Sequence, residues 1–344
     1  MEYSLETKPI SIATDHTSPG LDETDLQDDA TERRQLRLGP QQHGLRLDRA
    51  LAEAVSEFSR SYLQQLIEAG HVALNGRIAH KQSVTVRCDD YLEVSLQPTP
   101  QSTAFKPEAM ALDVVYRDDD VLVINKPAGL VVHPAPGNWS GTLLNGLLAL
   151  DAALLAVPRA GIVHRLDKET SGLMVVARNR AAMDALVAAI AQRSIGREYL
   201  ALAQGRWDRG SPLHADRAIG RDPRNRLRMA VVDLSQQPGK AAATDIHVLA
   251  STDQACLVRC VLHTGRTHQI RVHMADLGHP LVGDTVYGGK PVVGLAGQAL
   301  HAFRLTFAHP LRAERLRFEA PPPPGFLAAV ASAGLGYNEF PPSG

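Results

Sequence analysis

Short apolar runs separated by polar turns recur along the C-terminal two thirds of the chain. Runs of this length with few intervening amphipathic stretches predict strands. A domain with many strands and few helices is expected to be of the α+β class with a mainly antiparallel central sheet. The predicted strands are residues 112–116, 121–124, 197–203, 242–249, 256–262, 301–307 and 316–319. Along residues 197–203, Tyr199 and Ala201 are predicted to share one face, and Leu200 and Leu202 the other.

Helical periodicity is confined to a few places in the same region. Thr142 can cap a helix whose apolar face includes Leu143, Leu147 and Leu150. Met183, Leu186, Val187 and Ile190 follow the spacing of an amphipathic helix that should cover the sheet. A short helix is also predicted at residues 326–333, after a run of prolines that ends the last strand.

A smaller pattern of two helices followed by short strands precedes this domain. Leu47, Leu51 and Val55 repeat at helical spacing, and a second helix is predicted after Ser59 or Ser61 and ends at Gly70. Strands are expected at residues 72–74, 84–86 and 91–94, and the first of them leads into the hairpin turn Asn75-Gly76. This is the pattern of a compact module of its own.

Three segments lack any sustained pattern and divide the chain. Residues 1–42 are predicted to be a disordered acidic tail, residues 97–107 a Pro-containing linker, and residues 335–344 a loose C-terminal tail. The small module then occupies residues 43–96, and the large domain occupies residues 108–334.

Charge is distributed unevenly although the whole chain carries a net charge of only -1. The first 40 residues contain nine acidic and four basic residues, so the remainder has 32 basic against 28 acidic ones. Only clustering could turn so small an excess into a nucleic-acid-binding surface. The densest cluster lies in residues 204–240, where seven arginines and Lys240 suit a loop region that follows phosphates.

Composition also restricts the class of protein. Three cysteines, at positions 88, 256 and 260, are too few for a disulfide scaffold and match no zinc-binding spacing, which indicates core thiols in a reducing cytosol. The N-terminus has no signal-peptide pattern, and the longest apolar run, residues 147–157, is interrupted by Asp151. A cytoplasmic location is therefore expected.

The most concentrated set of polar groups lies in residues 161–177, between apolar pairs that predict short buried strands at residues 162–163 and 173–176. Asp167 stands between Arg165 and Lys168, and neighbouring cations favour the carboxylate form that a nucleophile or a base needs. An Asp that merely caps a turn is an equally good interpretation of the local sequence.

Histidines 263, 268 and 273 invite a metal-site interpretation. Their spacing of five places neighbours on opposite faces of a strand and away from one stripe of a helix, and Arg266 and Arg271 would repel a cation. We therefore predict no metal site.

Four ordered blocks identify a family. The block at residues 164–173, HRLDKETSGL, resembles the catalytic motif of the RluA-type pseudouridine synthases. Residues 124–134 (INKPAGLVVHP), 197–199 (REY) and 264–273 (TGRTHQIRVH) match the family in order and spacing. The resemblance extends from about residue 112 to residue 321, and residues 59–76 resemble the S4 domain found in ribosomal proteins and many RNA-modifying enzymes.

The resemblance implies roles for particular residues. Asp167 matches the family's nucleophile, Tyr199 its base-stacking tyrosine, and Arg271 the basic residue that pairs with the catalytic carboxylate. Arg165 matches the residue that enters the RNA in place of the extruded nucleotide. The other candidates for RNA contact are His164, Lys126 and Arg266 in the large domain and Arg60 and Arg77 in the S4-like module. For His164 a purely structural role, and for Lys126 a role in capping the strand end, remain open.

The implied reaction is isomerisation of uridine to pseudouridine on a flipped-out nucleotide, which needs no redox cofactor. Within the family the chain resembles members that act on 23S ribosomal RNA of the large subunit, free or in pre-50S particles, and a monomer without cofactor, metal or membrane association is expected. Three alternatives remain: a synthase acting on transfer RNA or another ribosomal site, a non-catalytic RNA-binding assembly factor, and a hydrolase using Asp167, which lacks a nucleophile elbow.

Overall fold

A computed structural model describes residues 32–55, 60–96, 104–135, 138–225 and 228–337. The chain divides into two compact units, residues 1–99 and residues 100–344. Most of the predicted N-terminal tail, residues 97–103 of the predicted linker and the last seven residues lie outside the described ranges. No helix in the described ranges is long and apolar enough to cross a membrane.

The first unit combines two helices with a four-stranded antiparallel sheet. Its elements are β1 (Glu32–Arg37), α1 (Leu47–Ala54), α2 (Arg60–Glu68), β2 (Val72–Leu74), β3 (Arg77–Ile78) and β4 (Tyr91–Leu96). The strand order is β1-β4-β2-β3. Asn75 and Gly76 connect β2 to β3 and have φ values of 52° and 76°, as the tight hairpin turn of two paired strands requires.

Two details of this unit differ from the sequence prediction. Residues 32–37, assigned to the disordered tail, form β1, because a backbone ladder to β4 holds a segment whose side chains are almost all polar. The last residues of that predicted tail are ordered as well: Leu38 is buried in the core of the unit, and Pro40–Gln42 form a 3₁₀ turn. Residues 84–86 do not form a strand of the sheet. Their backbone groups instead form hydrogen bonds with Gly44 and Leu45, which precede α1, and with Leu47, its first residue.

A buried carboxylate connects the two helices of this unit. Asp48 is fully buried and accepts hydrogen bonds from Arg46, Arg60 and Gln64. Burial acts to raise the pKa of this carboxyl, but the three donors outweigh it and hold the pKa well below its usual value of 3.8. Arg60, predicted to contact RNA, is thus engaged within the unit.

Asp48→Asn is expected to destabilise the first unit by about 2–3 kcal/mol, because Arg46 and Arg60 lose the buried negative charge with which they pair. A carboxyl with a lowered pKa in the folded state stabilises the fold above its ordinary value and loses that contribution as the pH falls below it. Amide exchange in peptides from α1 and α2 of the full chain should therefore be faster in the variant at neutral pH. The difference in exchange rate between the variant and the native protein should become smaller below about pH 4. Equal exchange rates at neutral pH would refute the stabilising role of the Asp48 carboxylate.

The second unit is organised on one mixed sheet. Its strands are β5 (Asp113–Arg117), β6 (Val121–Lys126), β7 (Ser171–Ala177), β8 (Gly196–Gln204), β9 (Leu213–Ala215), β13 (Thr244–Ser251), β14 (Ala255–Leu262), β15 (Leu300–Ala308) and β16 (Arg315–Glu319). They follow the order β5-β6-β7-β15-β8-β14-β13-β9, and β16 pairs with β15. Among the described strands only β7 and β15 pair in parallel, so the predicted α+β class with a mainly antiparallel sheet is confirmed.

Helices and a small second sheet surround it. The helices are α3 (Leu143–Leu150), α4 (Arg180–Ala191), α5 (Gln269–Asp276) and α6 (Pro324–Ser332), and the second sheet contains β10 (Ile219–Arg221), β11 (Met229–Val231) and β12 (Gly239–Lys240). Thr142 caps α3 through its hydroxyl, as predicted.

The predicted strand at residues 162–163 is wrong. Ile162 makes only an isolated bridge to Val176, after a 3₁₀ turn at Pro158–Gly161. Gly161 has a φ of 74°, and a Cβ there would lie 1.8 Å from the carbonyl oxygen of Ala177. The chain crosses closely over the end of β7 and then turns into the loop that carries Asp167.

Strand β8 alternates between two apolar clusters on opposite faces of the sheet. Tyr199 and Ala201 belong to the apolar cluster that includes residues of α3, whereas Leu200 and Leu202 belong to the cluster that includes Phe326 of α6. The predicted alternation of this strand is thus confirmed. It presents Tyr199 on the face that carries the Asp167 loop.

Candidate active site

Asp167 lies in the loop before β7, at the wall of a cavity of about 530 Å³. Its backbone carbonyl accepts a hydrogen bond from Thr170 N at 3.1 Å, which closes the turn, and its side chain is 16% exposed. A cavity of this volume is in the range that accommodates small organic ligands.

Arg271 of α5 holds this carboxylate. Its Nη1 donates to Asp167 Oδ2 at 3.0 Å, while Nε and Nη2 donate to the two oxygens of Asp284 at 2.7 and 2.9 Å. The Arg271 side chain is 6% exposed and that of Asp284 is 1% exposed. Burial acts to lower the pKa of Arg271, but the two carboxylates outweigh it and raise that pKa above its usual value.

Asp284 is a site residue that sequence reasoning missed. It belongs to a Gly-rich turn after α5, and only the fold brings it to Arg271. Its bidentate contact fixes the plane of the guanidinium and leaves one Nη group directed at Asp167.

Tyr199 lines the same cavity as Asp167 and Arg271. The residue is almost entirely buried, and burial raises the pKa of its phenol. The structure therefore brings the three residues proposed for catalysis to one cavity, with an aromatic ring available for stacking on a flat base.

The cavity is strongly basic. Among the described residues that line it, six are arginines and Asp167 supplies the only carboxylate. Such a lining favours a polyanion over a neutral metabolite. The arginines are Arg159, Arg165, Arg193, Arg197, Arg266 and Arg271.

Three of the predicted RNA contacts, His164, Arg165 and Arg266, lie on this lining. Arg165 is exposed beside Asp167, a position from which it can enter an RNA. Arg266 is half-buried, and its Nε donates to Ala241 O at 3.0 Å.

Lys126 and His164 are placed differently from that prediction. Lys126 is 1% exposed, and its ammonium donates to the carbonyls of Pro127, Leu130 and Lys168 at 2.8 to 3.0 Å. These three bonds occupy its donors, so the phosphate contact predicted for Lys126 is not made from this position. The lysine instead ties the turn after β6 to the Asp167 loop.

His164 has a structural place as well. Its Nε2 accepts a hydrogen bond from Val175 N at 3.0 Å, and burial, aided by the Arg197 charge, lowers its pKa to about 3. The neutral ring supports the loop from β7. Of the two alternatives that the sequence left open for His164, the structure favours this one over contact with RNA.

Arg60 and Arg77 belong to the first unit. Arg60 is paired with Asp48, and Arg77 is exposed on β3. The arginine-rich segment of the second unit is partly neutralised as well, since Arg206, Arg217 and Arg228 pair with Asp253, Asp276 and Asp222. Arg226 lies outside the described residues.

The three histidines of the sequence prediction point to different partners. His263 contacts Asp245, which also contacts His214, at N–O distances of 2.6 and 2.5 Å. His273 bonds Thr244 and the Arg217 carbonyl.

His268 faces the Asp167 carboxylate. Its Nε2 lies 3.9 Å from Asp167 Oδ1, and its Nδ1 is 2.8 Å from the hydroxyl of Tyr287. The Tyr287 ring also lies under the guanidinium of Arg271, 4.9 Å from ring centroid to Cζ. A second cavity of about 410 Å³, lined by Glu169, Asp284 and Gln298 among others, adjoins on this side of Asp167.

Comparison with known proteins matches both units. The family profile described as RNA pseudouridylate synthase matches residues 120–276, and the S4 domain profile matches residues 45–90. Asp167, Tyr199 and Arg271 all fall within the first match.

Two curated relatives carry the name ribosomal large subunit pseudouridine synthase D. The protein from Neisseria meningitidis serogroup A is 48% identical over 291 residues, which cover 81% of this chain and 76% of the relative. The protein from Xylella fastidiosa is 45% identical over 302 residues, with coverage of 84% and 89%. Among solved structures, human RNA pseudouridylate synthase domain containing 4 has a TM-score of 0.52 at 25% identity and covers 65% of this chain and 94% of that one.

Proposed function

The chain belongs to the pseudouridine synthase family and is an RNA-modifying isomerase, and we propose that it converts specific uridines of 23S ribosomal RNA to pseudouridine with Asp167 as nucleophile. One observation carries the residue assignment: a carboxylate held by a buried guanidinium in an arginine-lined cavity with a tyrosine in its wall. The relatives' names support the large ribosomal subunit as the source of the RNA.

The reaction breaks the N1–C1′ bond of uridine, turns the uracil and joins C5 to C1′. The glycosidic bond of a stacked nucleotide cannot reach Asp167, so the uridine must first be extruded into the cavity. Tyr199 would then stack on the uracil, and Arg165 would fill the vacated place in the RNA. Three attacks are open to Asp167: on C6 of the base, on C1′ of the ribose, or on the 2′ proton.

Arg271 acts on the nucleophile rather than on the uracil. Its position, fixed by Asp284, orients Asp167 Oδ2, while the other carboxylate oxygen, Oδ1, faces His268. An oriented carboxylate loses less freedom on reaching the transition state, which lowers the barrier.

We infer that the protein works in the cytoplasm, where ribosomal RNA is assembled, on free RNA or on pre-50S particles, and that it acts as a monomer. A chain with its own RNA-binding S4 unit and a cavity within one unit needs no second copy to complete its site.

The test is to map pseudouridines in ribosomal and transfer RNA from cells with the gene, without it, and with the Asp167→Asn variant. The proposal predicts that particular 23S sites are lost without the gene and are not restored by the variant. If pseudouridines are lost only from transfer RNA or from another ribosomal RNA, that RNA is the substrate and not 23S ribosomal RNA. Restoration by the variant would favour a non-catalytic assembly factor.

Deleting residues 45–96 is expected to weaken RNA binding without unfolding the second unit, which has its own core. Exposed basic residues of the first unit, such as Arg77 and Lys81, are available for phosphates. The slope of log affinity against log salt should become shallower by about 0.7–0.9 for each phosphate that the shortened chain no longer neutralises. Unfolding of the shortened chain, or an unchanged slope, would contradict the assignment of RNA binding to this unit.

A further inference from the structure

His268 holds an unfavourable backbone conformation at the meeting point of the two cavities. Its φ and ψ are 58° and 22°, in the left-handed region that costs free energy for a residue with a side chain. The residue lines both cavities and directly precedes α5, the helix that carries Arg271. Strain of this kind persists where the position of a side chain matters.

The imidazole is anchored at one nitrogen. Tyr287 Oη lies 2.8 Å from His268 Nδ1 and also accepts a hydrogen bond from Met229 N at 3.0 Å. A phenol oxygen has two lone pairs and one proton, so it can accept from Nδ1–H or donate to an unprotonated Nδ1. Tyr287 thus keeps Nδ1 paired in both tautomers, and Nε2 can either carry a proton or present a lone pair.

That second nitrogen, Nε2, faces the reacting groups. It lies 3.9 Å from Asp167 Oδ1, which is the carboxylate oxygen that does not accept the hydrogen bond from Arg271. Burial is the main cause that lowers the pKa of His268, and it outweighs the nearby Asp167 and Asp284 carboxylates. A neutral imidazole is available as a base near neutral pH, whereas burial raises the pKa of Tyr199 and makes its phenolate harder to form.

We propose that His268 is a catalytic base that takes the C5 proton of the turned uracil and returns a proton to N1. The inference rests on the proposed function in taking Asp167 as the residue that meets the nucleoside. Once C5 has bonded to C1′, C5 still carries its hydrogen and the ring has an N1=C6 double bond. Nε2 accepts the proton, the C–H electron pair forms C5=C6, and the N1=C6 pair moves to N1, which then takes the proton from the imidazolium.

Loss of the C5 proton is needed whichever bond Asp167 makes, because every path must replace the C5 hydrogen by C1′ and leave a hydrogen on N1. Where Asp167 is still bonded to C6, the C–H electron pair forms C5=C6 and the C6–O bond breaks, which releases the carboxylate. The imidazolium formed in passing stands beside the Asp167 and Asp284 carboxylates, which stabilise it. No external acid, base or oxidant is required.

The experiment compares single-turnover rates on RNA made with ordinary uridine and with uridine deuterated at C5. Asn tolerates the left-handed backbone, and its amide is able to bond Tyr287, so His268→Asn should fold but cannot carry a proton. We expect its rate to fall by about 100-fold or more and to be slowed by C5 deuterium more than the native rate is. His273→Asn is the control. Its ring lies on α5, the helix that His268 precedes, but is buried against Thr244 and Arg217, so the isotope effect of this variant should equal the native one.

A His268→Asn enzyme at the native rate, or one that is slower without an increased isotope effect, would overturn the proposal and reduce His268 to a positioning residue. The substrate assignment is judged separately, by whether the native protein modifies a 23S transcript. The isotope comparison uses the RNA that the mapping identifies.

Discussion

Asp167→Asn is expected to lower the rate of pseudouridine formation by about 10⁴-fold or more, as loss of a nucleophile does in other enzymes. The amide is close in shape to the carboxylate but lacks its negative charge, and an uncharged amide oxygen is far too weak a nucleophile and base to attack the nucleoside. Arg271 keeps both hydrogen bonds to Asp284, so the cavity should retain its form. RNA affinity is therefore expected to stay near the native value. Stability should fall less than in Asp284→Asn, because Asp167 accepts one hydrogen bond from Arg271 whereas Asp284 accepts two.

Rapid-quench assays on purified native and variant protein measure the rate of pseudouridine formation. The affinity of both proteins for the same RNA serves as the control. Retained activity in the variant would refute the nucleophile assignment. Equal loss of activity and of RNA binding would show that the substitution damaged the site as a whole.

Asp284→Asn is expected to lower the free energy of unfolding by about 3 kcal/mol, because it removes one of two carboxylates from a buried guanidinium. The rate of pseudouridine formation should also fall in this variant, because Arg271 would no longer be held in the plane that directs Nη1 at Asp167. Denaturant unfolding of the full chain measures the loss.

Asp276→Asn provides a matched control on the helix that carries Arg271. Its partner Arg217 is largely exposed, at an N–O distance of 3.6 Å, and such surface pairs contribute less than about 1 kcal/mol. If Asp284→Asn proved no less stable than Asp276→Asn, the buried pair would not support the site as described.

Local patterns predicted much of the second unit. Alternation along residues 197–203 placed Tyr199 on the correct face of β8, and Thr142 was identified as a helix cap. In both cases the signal is contained in a few consecutive residues, and backbone geometry alone converts it into structure.

The features that the sequence did not reveal depend on distant partners. Strand β1 is almost entirely polar and exists because β4 offers it a ladder. Residues 162–163 have an apolar pair like that of a strand, but the close crossing at Gly161 takes them out of the sheet. Lys126 was a candidate for contact with a phosphate or for capping the strand end, and it is buried because three carbonyls from two loops converge on it.

The same distinction applies to the site. Family motifs pointed to Asp167, Tyr199 and Arg271, and the fold brings all three to one cavity. Asp284 and Tyr287 lie in a glycine-rich turn with no local mark of chemistry, and only the contact with Arg271 gives them a role.

The central claim is that the cavity beside Asp167 receives an extruded uridine. A crystal structure of the protein with a uridine-containing fragment of its RNA tests it most directly. The account predicts a uracil in the cavity against the Tyr199 ring, with an Asp167 oxygen about 3–3.5 Å from C6, C1′ or the 2′ hydrogen-bearing carbon. A uridine left stacked in the RNA, or bound with Asp167 out of reach of all three atoms, would contradict the claim.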